Sequence, residues 1–252
     1  MITFVGAGPG AVDLITVRGM QRLQKADVII YAGSLVNPAL LAYAGEDAEI
    51  HDSAHMTLEE ITELMIRADR DGKEVVRLHT GEPSIYGAVR EQMDILDAHG
   101  IRYESCPGVS ACFGAAAGAN LEFTLPGITQ TLIITRLEGR TAVPEKEQMA
   151  LLAAHQASMA IYLSAGMLDQ LSQELIHGGL NAETPAILVY KATWPEEKRI
   201  SCTVGTLAQA GRDNHITKTA VVLVGDAMGM RPHERSRLYD PTFSTGYRKA
   251  QR

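Results

Sequence analysis

Apolar residues in the first half of the chain fall in short runs separated by amphipathic stretches, a pattern that predicts strands and helices in alternation. ITFVG (2–6) reads as a strand, 17–25 as a helix and VIIY (28–31) as a second strand, a βαβ opening. Thr57 followed by Glu60 is a capping box and predicts a helix over 57–70. The strand EVVRLH (74–79), a helix over 86–98 ending at Gly100 and a strand near 101–105 come next. PGVSACFGAAAGA then supplies small residues suited to a close-packed helix or to a crossing between domains. The pattern predicts a mostly parallel sheet covered on both faces.

The second half repeats the style in TLIITR (131–136), AIYLS (160–164), a helix near 167–177, AILVYKAT (186–193), a helix near 204–211 and AVVLVG (220–225). The expected fold class is therefore α/β with two α/β domains, and a mixed sheet is expected in the second without the apolar pattern itself fixing strand direction. Their boundary is placed between Gly118 and Pro126, giving 1–120 and 121–252. No short internal repeat is visible, and the tail from Arg231 reads as an irregular extension.

Composition narrows the function classes. At 252 residues, 46% of them apolar and 21% charged, the chain has the balance of a globular protein and length for about 1.7 domains. Its 23 basic and 30 acidic residues leave a net charge of −7, which lacks the broad positive field that non-specific nucleic-acid binding needs. Cys106, Cys112 and Cys202 match no disulfide or CxxC framework, so a reducing cytoplasmic setting is expected. The N-terminus has no basic leader, and the longest uncharged run, 28–44, is broken by Gly33, Ser34, Asn37 and Pro38. That run reads as a strand, a loop and a short helix, and no membrane partner is expected.

In open parallel sheets ligands sit beyond the carboxyl ends of strands, so the residues following each apolar run carry the functional signal. Five such ends are unusual: GAGPG, HTGEPSIYG (79–87), PGVSA (107–111), YLSAG (162–166) and KATWP (191–195). Gly6, Gly8 and Ala11 fit G-x-G-x-x-A and admit a nicotinamide-dependent oxidoreductase as an alternative. Against it, the next helix starts only near Thr16, and Asp27 precedes the second strand where an acid should follow it. In HTGEPSIYG, Pro83 fixes its own φ and biases Glu82 to extended geometry, giving a rigid loop that presents backbone groups to a polar ligand. His51 and His55 stand four apart, but no third ligand accompanies them and HDSAH reads as a loop, so no protein-bound metal is expected. Cys106 and Cys112 read as small buried residues, and Trp194 as a rim or packing aromatic.

GAGPG, then TGEPSIYG, then PGVSA, in that order and spacing, resembles the tetrapyrrole methylase family, the class III S-adenosylmethionine-dependent methyltransferases. The segments at 31–41, 134–145 and 189–198 and the closing SRLYDPTFSTGYRKA resemble its cobalamin-pathway branch that methylates a ring carbon of a cobalt-containing precorrin. The resemblance implies two α/β domains with the active-site cleft between them, a homodimer, and S-adenosyl-L-methionine converted to S-adenosyl-L-homocysteine. By motif position it implies Pro9, Thr80, Gly81, Glu82, Ile85, Tyr86, Ser110, Ala111, Leu163, Ala192 and Ala220 as cofactor-binding residues. Many members carry Asp where Glu82 stands, and the added methylene shifts the carboxylate, so the backbone is the more secure part of that position. No catalytic residue is assigned, since a sulfonium donor is already activated. The carboxylates of a tetrapyrrole substrate would need local positive charge, for which Arg90, Arg136, Arg140 and Lys191 are candidates. The implied reaction is methylation at C11 of cobalt-precorrin-4, with metal-free precorrin-4 of the aerobic route as the nearest alternative.

Overall fold

Five parallel strands build the first sheet of the computed structural model, which describes residues 1–229 and 232–251. The chain forms two units, Met1–Ala115 with Lys191–Glu197, and Ala116–Tyr190 with Lys198–Arg252. Unit 1 runs β1 (Ile2–Gly6), α1 (Val17–Lys25), β2 (Val28–Tyr31), β3 (Glu49–Asp52), α2 (Leu58–Arg70), β4 (Val75–His79), α3 (Arg90–Ala98), β5 (Tyr103–Cys106) and α4 (Ala111–Gly118), inside which the chain leaves the unit. The sheet order is β3-β2-β4-β1-β5. Alternation along the strands feeds two cores. Ile2, Phe4, Val28, Ile30 and Val75 pack with Ile61, Leu64 and Met65 of α2, while Val5, Ile29, Val76 and Leu78 pack with Leu23 of α1 and with Leu40. Every residue of β1 is buried, as a central strand of a doubly covered parallel sheet requires.

The caps are those the sequence encodes. Thr16 accepts from the Gly19 N–H at 3.0 Å, and Thr57 and Glu60 exchange both bonds of the capping box at 3.3 and 2.7 Å. In the 28–44 run, β2 gives way to a loop and a short 3-10 helix at Pro38–Tyr43. Two expectations need correction. HDSAH is not a loop throughout: Glu49–Asp52 pairs in parallel with β2, and only Ser53–His55 turns, as a single 3-10 turn. A polar edge strand of four residues carries no apolar alternation by which to find it. The helix expected over 86–98 starts instead at Arg90, because Tyr86 and Ala88 hold φ of +56° and +48°, outside the right-handed helical region.

Unit 2 contains β6 (Leu132–Arg136), α5 (Met149–Ala153), β7 (Ser158–Tyr162), α6 (Leu168–His177), β8 (Pro185–Tyr190), β9 (Lys198–Thr203), α7 (Leu207–Asp213) and β10 (Ala220–Val224). Its sheet, in order β6-β7-β10-β8-β9, is mixed: β6 and β7 are parallel, and β10 runs antiparallel to both β7 and β8. Met159, Ile161, Leu171, Leu175, Leu188 and Val222 centre its core. The strand expected through Thr193 stops at Tyr190, where Lys191 and Thr193 turn to φ of +47° and +68° and the chain enters unit 1 for seven residues. The polar edge strand β9 escapes sequence reading for the same reason as β3. Arg231, where the irregular extension is expected to begin, lies outside the described residues; Arg237–Tyr239 beyond it forms one 3-10 turn. No helix among the described residues is long and apolar enough to cross a membrane.

Candidate active site

The carboxyl ends of β4, β1 and β5, neighbours in the sheet, bring three loops into backbone contact. Gly8 and Gly81 exchange both main-chain bonds, at 3.3 and 2.8 Å, and the Ala7 N–H donates to the His79 carbonyl at 2.7 Å. A Cβ on Gly6 would fall 2.6 Å from Gly108 Cα, and one on Gly108 would fall 2.1 Å from the Gly81 oxygen, so this junction requires glycine at both places. The Glu82 carboxylate staples the second loop to the third. Its Oε2 accepts from the Gly108 N–H at 2.7 Å and its Oε1 from the Ser84 N–H at 3.0 Å. The longer acid found here therefore has a structural task, and the backbone around it is what remains to meet a ligand.

Gly81 itself has φ of +59°, and a Cβ there would meet nothing nearer than Ser110 Cα at 3.7 Å, Ala111 N at 3.8 Å and the Val109 oxygen at 3.9 Å. The TGEP bend thus lies in ordinary contact distance of the start of α4, and the groups that face each other there belong to the main chain. Thr80 donates from Oγ1 to the Leu35 carbonyl at 3.3 Å, Ser110 is buried, Ile85 is half-buried and Tyr86 is exposed. Pro9, Thr80, Gly81, Glu82, Ile85, Tyr86, Ser110 and Ala111 are accordingly gathered on the loops at one edge of the unit 1 sheet.

Ala192 and Lys191 join the same unit through the segment Lys191–Glu197. Trp194 donates from Nε1 to the Pro9 carbonyl at 3.1 Å, and its indole lies so close on Gly10 that a Cβ there would sit 2.1 Å from Cδ1. The Ala11 N–H donates to Thr193 Oγ1 at 2.9 Å. These contacts overturn the nucleotide reading of Gly6, Gly8 and Ala11. The amides of Gly8 and Ala11 are bound within the protein, and α1 begins only at Val17, too far along the chain to offer its N-terminus at the glycines. Lys191 Nζ lies 5.2 Å from the Trp194 ring centroid and 3.7 Å from the Glu196 carboxylate.

In unit 2 the strand registers set Arg136 beside Tyr162 and Ala220 opposite Tyr190, so β6, β7, β8 and β10 present these residues along one sheet edge. Leu163 follows β7 at that edge with φ of +53° and 65% exposure. Left-handed backbone at Tyr86, Ala88, Leu163, Lys191 and Thr193 places strain just beyond strand ends, where functional loops commonly hold it.

The substrate candidates separate. Arg90 bonds Asp94 and Asp97 of its own exposed helix face, and both carboxylates hold its guanidinium above the usual range. Arg136 donates to the carbonyls of Leu137, Thr141 and Ala142 at 3.3, 3.0 and 2.7 Å, folding the loop after β6. Each guanidinium has five N–H donors, so these bonds leave some of them for a further acceptor. Arg140 stands exposed on that folded loop. His51 is bonded to Glu49 at 2.8 Å, and no group of three or more His, Cys, Asp or Glu among the described residues is placed to hold a metal. Cys106 and Cys112 are buried, and burial pushes the Cys202 thiol up to about 11.

The chain matches the family of tetrapyrrole (corrin/porphyrin) methylases over residues 1–208. It is 49% identical, over 251 residues spanning 100% of this chain and 97% of the relative, to the cobalt-precorrin-4 C(11)-methyltransferase of Methanocaldococcus jannaschii. The X-ray structure of cobalt precorrin-4 methyltransferase, a cobalamin biosynthetic enzyme, superposes with a TM-score of 0.89 at 47% identity, covering 90% of this chain and 95% of that one. Uroporphyrin-III C-methyl transferase from Thermus thermophilus, solved with S-adenyl homocysteine, gives 0.74 at 25% identity over 90% of this chain and 97% of its own. With the family model matched over residues 1–208 and a 49% identical relative matched along the whole chain, the chain belongs to the tetrapyrrole methylases.

Proposed function

We propose that this chain is a methyltransferase of cobalamin biosynthesis that moves the methyl group of S-adenosyl-L-methionine to C11 of cobalt-precorrin-4, giving cobalt-precorrin-5A and S-adenosyl-L-homocysteine. The observation that carries the reading is the glycine-lined cradle at Gly81, braced by Glu82 and walled by Ser110 and Ala111. The full-length likeness to the Methanocaldococcus jannaschii enzyme supports the choice of ring carbon and of a cobalt-bearing substrate. Pro9, Thr80, Ile85, Tyr86 and Ala192 complete the cofactor site in unit 1. Arg140 and Lys191 are the cations best able to meet substrate carboxylates. Cobalt enters as part of the macrocycle. The active form is a cytoplasmic homodimer.

The sulfonium supplies an activated methyl group. As the S–CH3 bond breaks, the electron-rich C11 of the macrocycle forms the new C–CH3 bond, and the positive charge passes from sulfur to the macrocycle. The residues described align the partners and exclude water, and alignment alone can contribute roughly 7 to 11 kcal/mol to lowering the barrier. No general base is required for bond formation, in keeping with loops that offer backbone rather than reactive side chains.

Incubation with isotopically labelled S-adenosylmethionine and either cobalt-precorrin-4 or metal-free precorrin-4, with the labelled carbon located by NMR, tests the reading. Label at C11 of the cobalt substrate is expected. Label at another carbon, or turnover of the metal-free substrate alone, would replace it.

A further inference from the structure

Unit 1 buries a guanidinium that no carboxylate answers. Arg77, in the middle of β4, is 5% exposed, and among the described residues no acid lies within ion-pair distance of it. Its Nε donates to Gln92 Oε1 at 3.2 Å and its Nη1 to the Ile30 carbonyl at 3.2 Å. Burial draws Arg77 down to about 10, still charged at neutral pH, and burial together with that charge drives His79 to about 3. An unpaired buried ion opposes folding, so what this one contributes lies in what it positions.

Gln92 on α3 is 4% exposed. A guanidinium donates and accepts nothing, so it fixes which end of the Gln92 amide faces it: the oxygen turns to Arg77 and the nitrogen is left pointing away. That nitrogen donates to the Ala88 carbonyl at 3.0 Å. Ala88 and Tyr86 both sit in the left-handed region, which is strained for a non-glycine residue, and such a loop keeps its shape only where its surroundings over-determine it.

We propose that Arg77 and Gln92 are positioning residues for the cofactor loop, the guanidinium orienting the amide and the amide pinning Ala88 so that Ile85 and Tyr86 hold their ligand-ready conformation. This inference rests on the reading of Thr80–Tyr86 as the cofactor cradle. The network reaches that loop from within the core.

Gln92→Glu separates a positioning role from a merely structural one. The carboxylate keeps an acceptor for Arg77 and pairs its charge, but it has no N–H for Ala88. The variant should unfold at no lower temperature than the parent, yet bind S-adenosylhomocysteine about tenfold more weakly in calorimetry, the worth of one buried hydrogen bond. KM for S-adenosylmethionine should rise with kcat changed less than about twofold, the pattern of lost uniform binding. Adding Ala88→Gly, which adopts a positive φ without strain, should restore the affinity. If Gln92→Glu does not fold, the double replacement Arg77→Met with Gln92→Leu refills the same space with apolar groups and should show the same rescuable loss. Parent-like affinity in the folded variant, with Gly81→Val abolishing binding, would overturn the positioning role alone. Parent-like affinity in Gly81→Val would overturn the cradle reading and the inference with it.

Discussion

The strand-end loops of unit 1 and the sheet edge of unit 2 are built on opposite plans. In unit 1, glycine lies on glycine, Gly8 is bonded to Gly81, and even the one acid of the cradle is committed to two amides. At the unit 2 edge, Leu163 and Arg140 project exposed side chains from a sheet that owes nothing to them. The difference teaches that a junction made of main chain tolerates no added side chain, whereas an edge made of exposed side chains leaves each of them replaceable.

The largest effect should come from attacking the backbone plan. Gly108→Ala drives a methyl into the Gly81 oxygen and should abolish S-adenosylhomocysteine binding in calorimetry, while hydrogen exchange across β7 and β10 stays protected. Intact binding would erase the contrast between the two regions. Next, His79 makes the unit 1 core sensitive to acid. Its folded pKa, near 3, lies below the unfolded value of about 6.5, so its contribution is complete above about pH 6.5 and is lost as the pH falls toward 3, at about 1.4 kcal/mol per pH unit. Urea melts between pH 7 and 4 should show that slope, and His79→Gln should flatten it.

Glu82→Gln keeps an acceptor for one amide but loses the charge-assisted bonds, and should cost about 1 to 3 kcal/mol of cofactor affinity. Smallest should be Arg140→Ala: stability within about 0.5 kcal/mol of the parent, unchanged cofactor affinity, and a KM for the tetrapyrrole raised severalfold in steady-state assays. A change in cofactor affinity there would mean that the two plans are not divided by ligand.

Much of this was legible in the order of residues. Thr16, Thr57 and Glu60 mark helix starts because caps are local chemistry, and the apolar runs of β1, β2, β4 and β10 mark buried strands because both faces must be covered. The α/β class followed from the same signals. β3 and β9 were not legible, since edge strands with wet faces have no alternation to display. In the site, GAGPG, TGEPS and PGV could be picked out as bends, but their mutual contact could not, because Gly6, Gly81 and Gly108 meet through atoms that every residue possesses. The partners of Arg90 and Arg136 were unequally legible: Asp94 and Asp97 stand within seven residues of Arg90, whereas the carbonyls that Arg136 meets are common to every residue.

The placement of Trp194 has a practical consequence. It is the only tryptophan of the chain, and it rests on Gly10 with its N–H on Pro9. The intrinsic fluorescence of the whole protein therefore reports from a single spot, one turn of chain away from Ala192, and its emission maximum will register any loosening there before bulk unfolding begins.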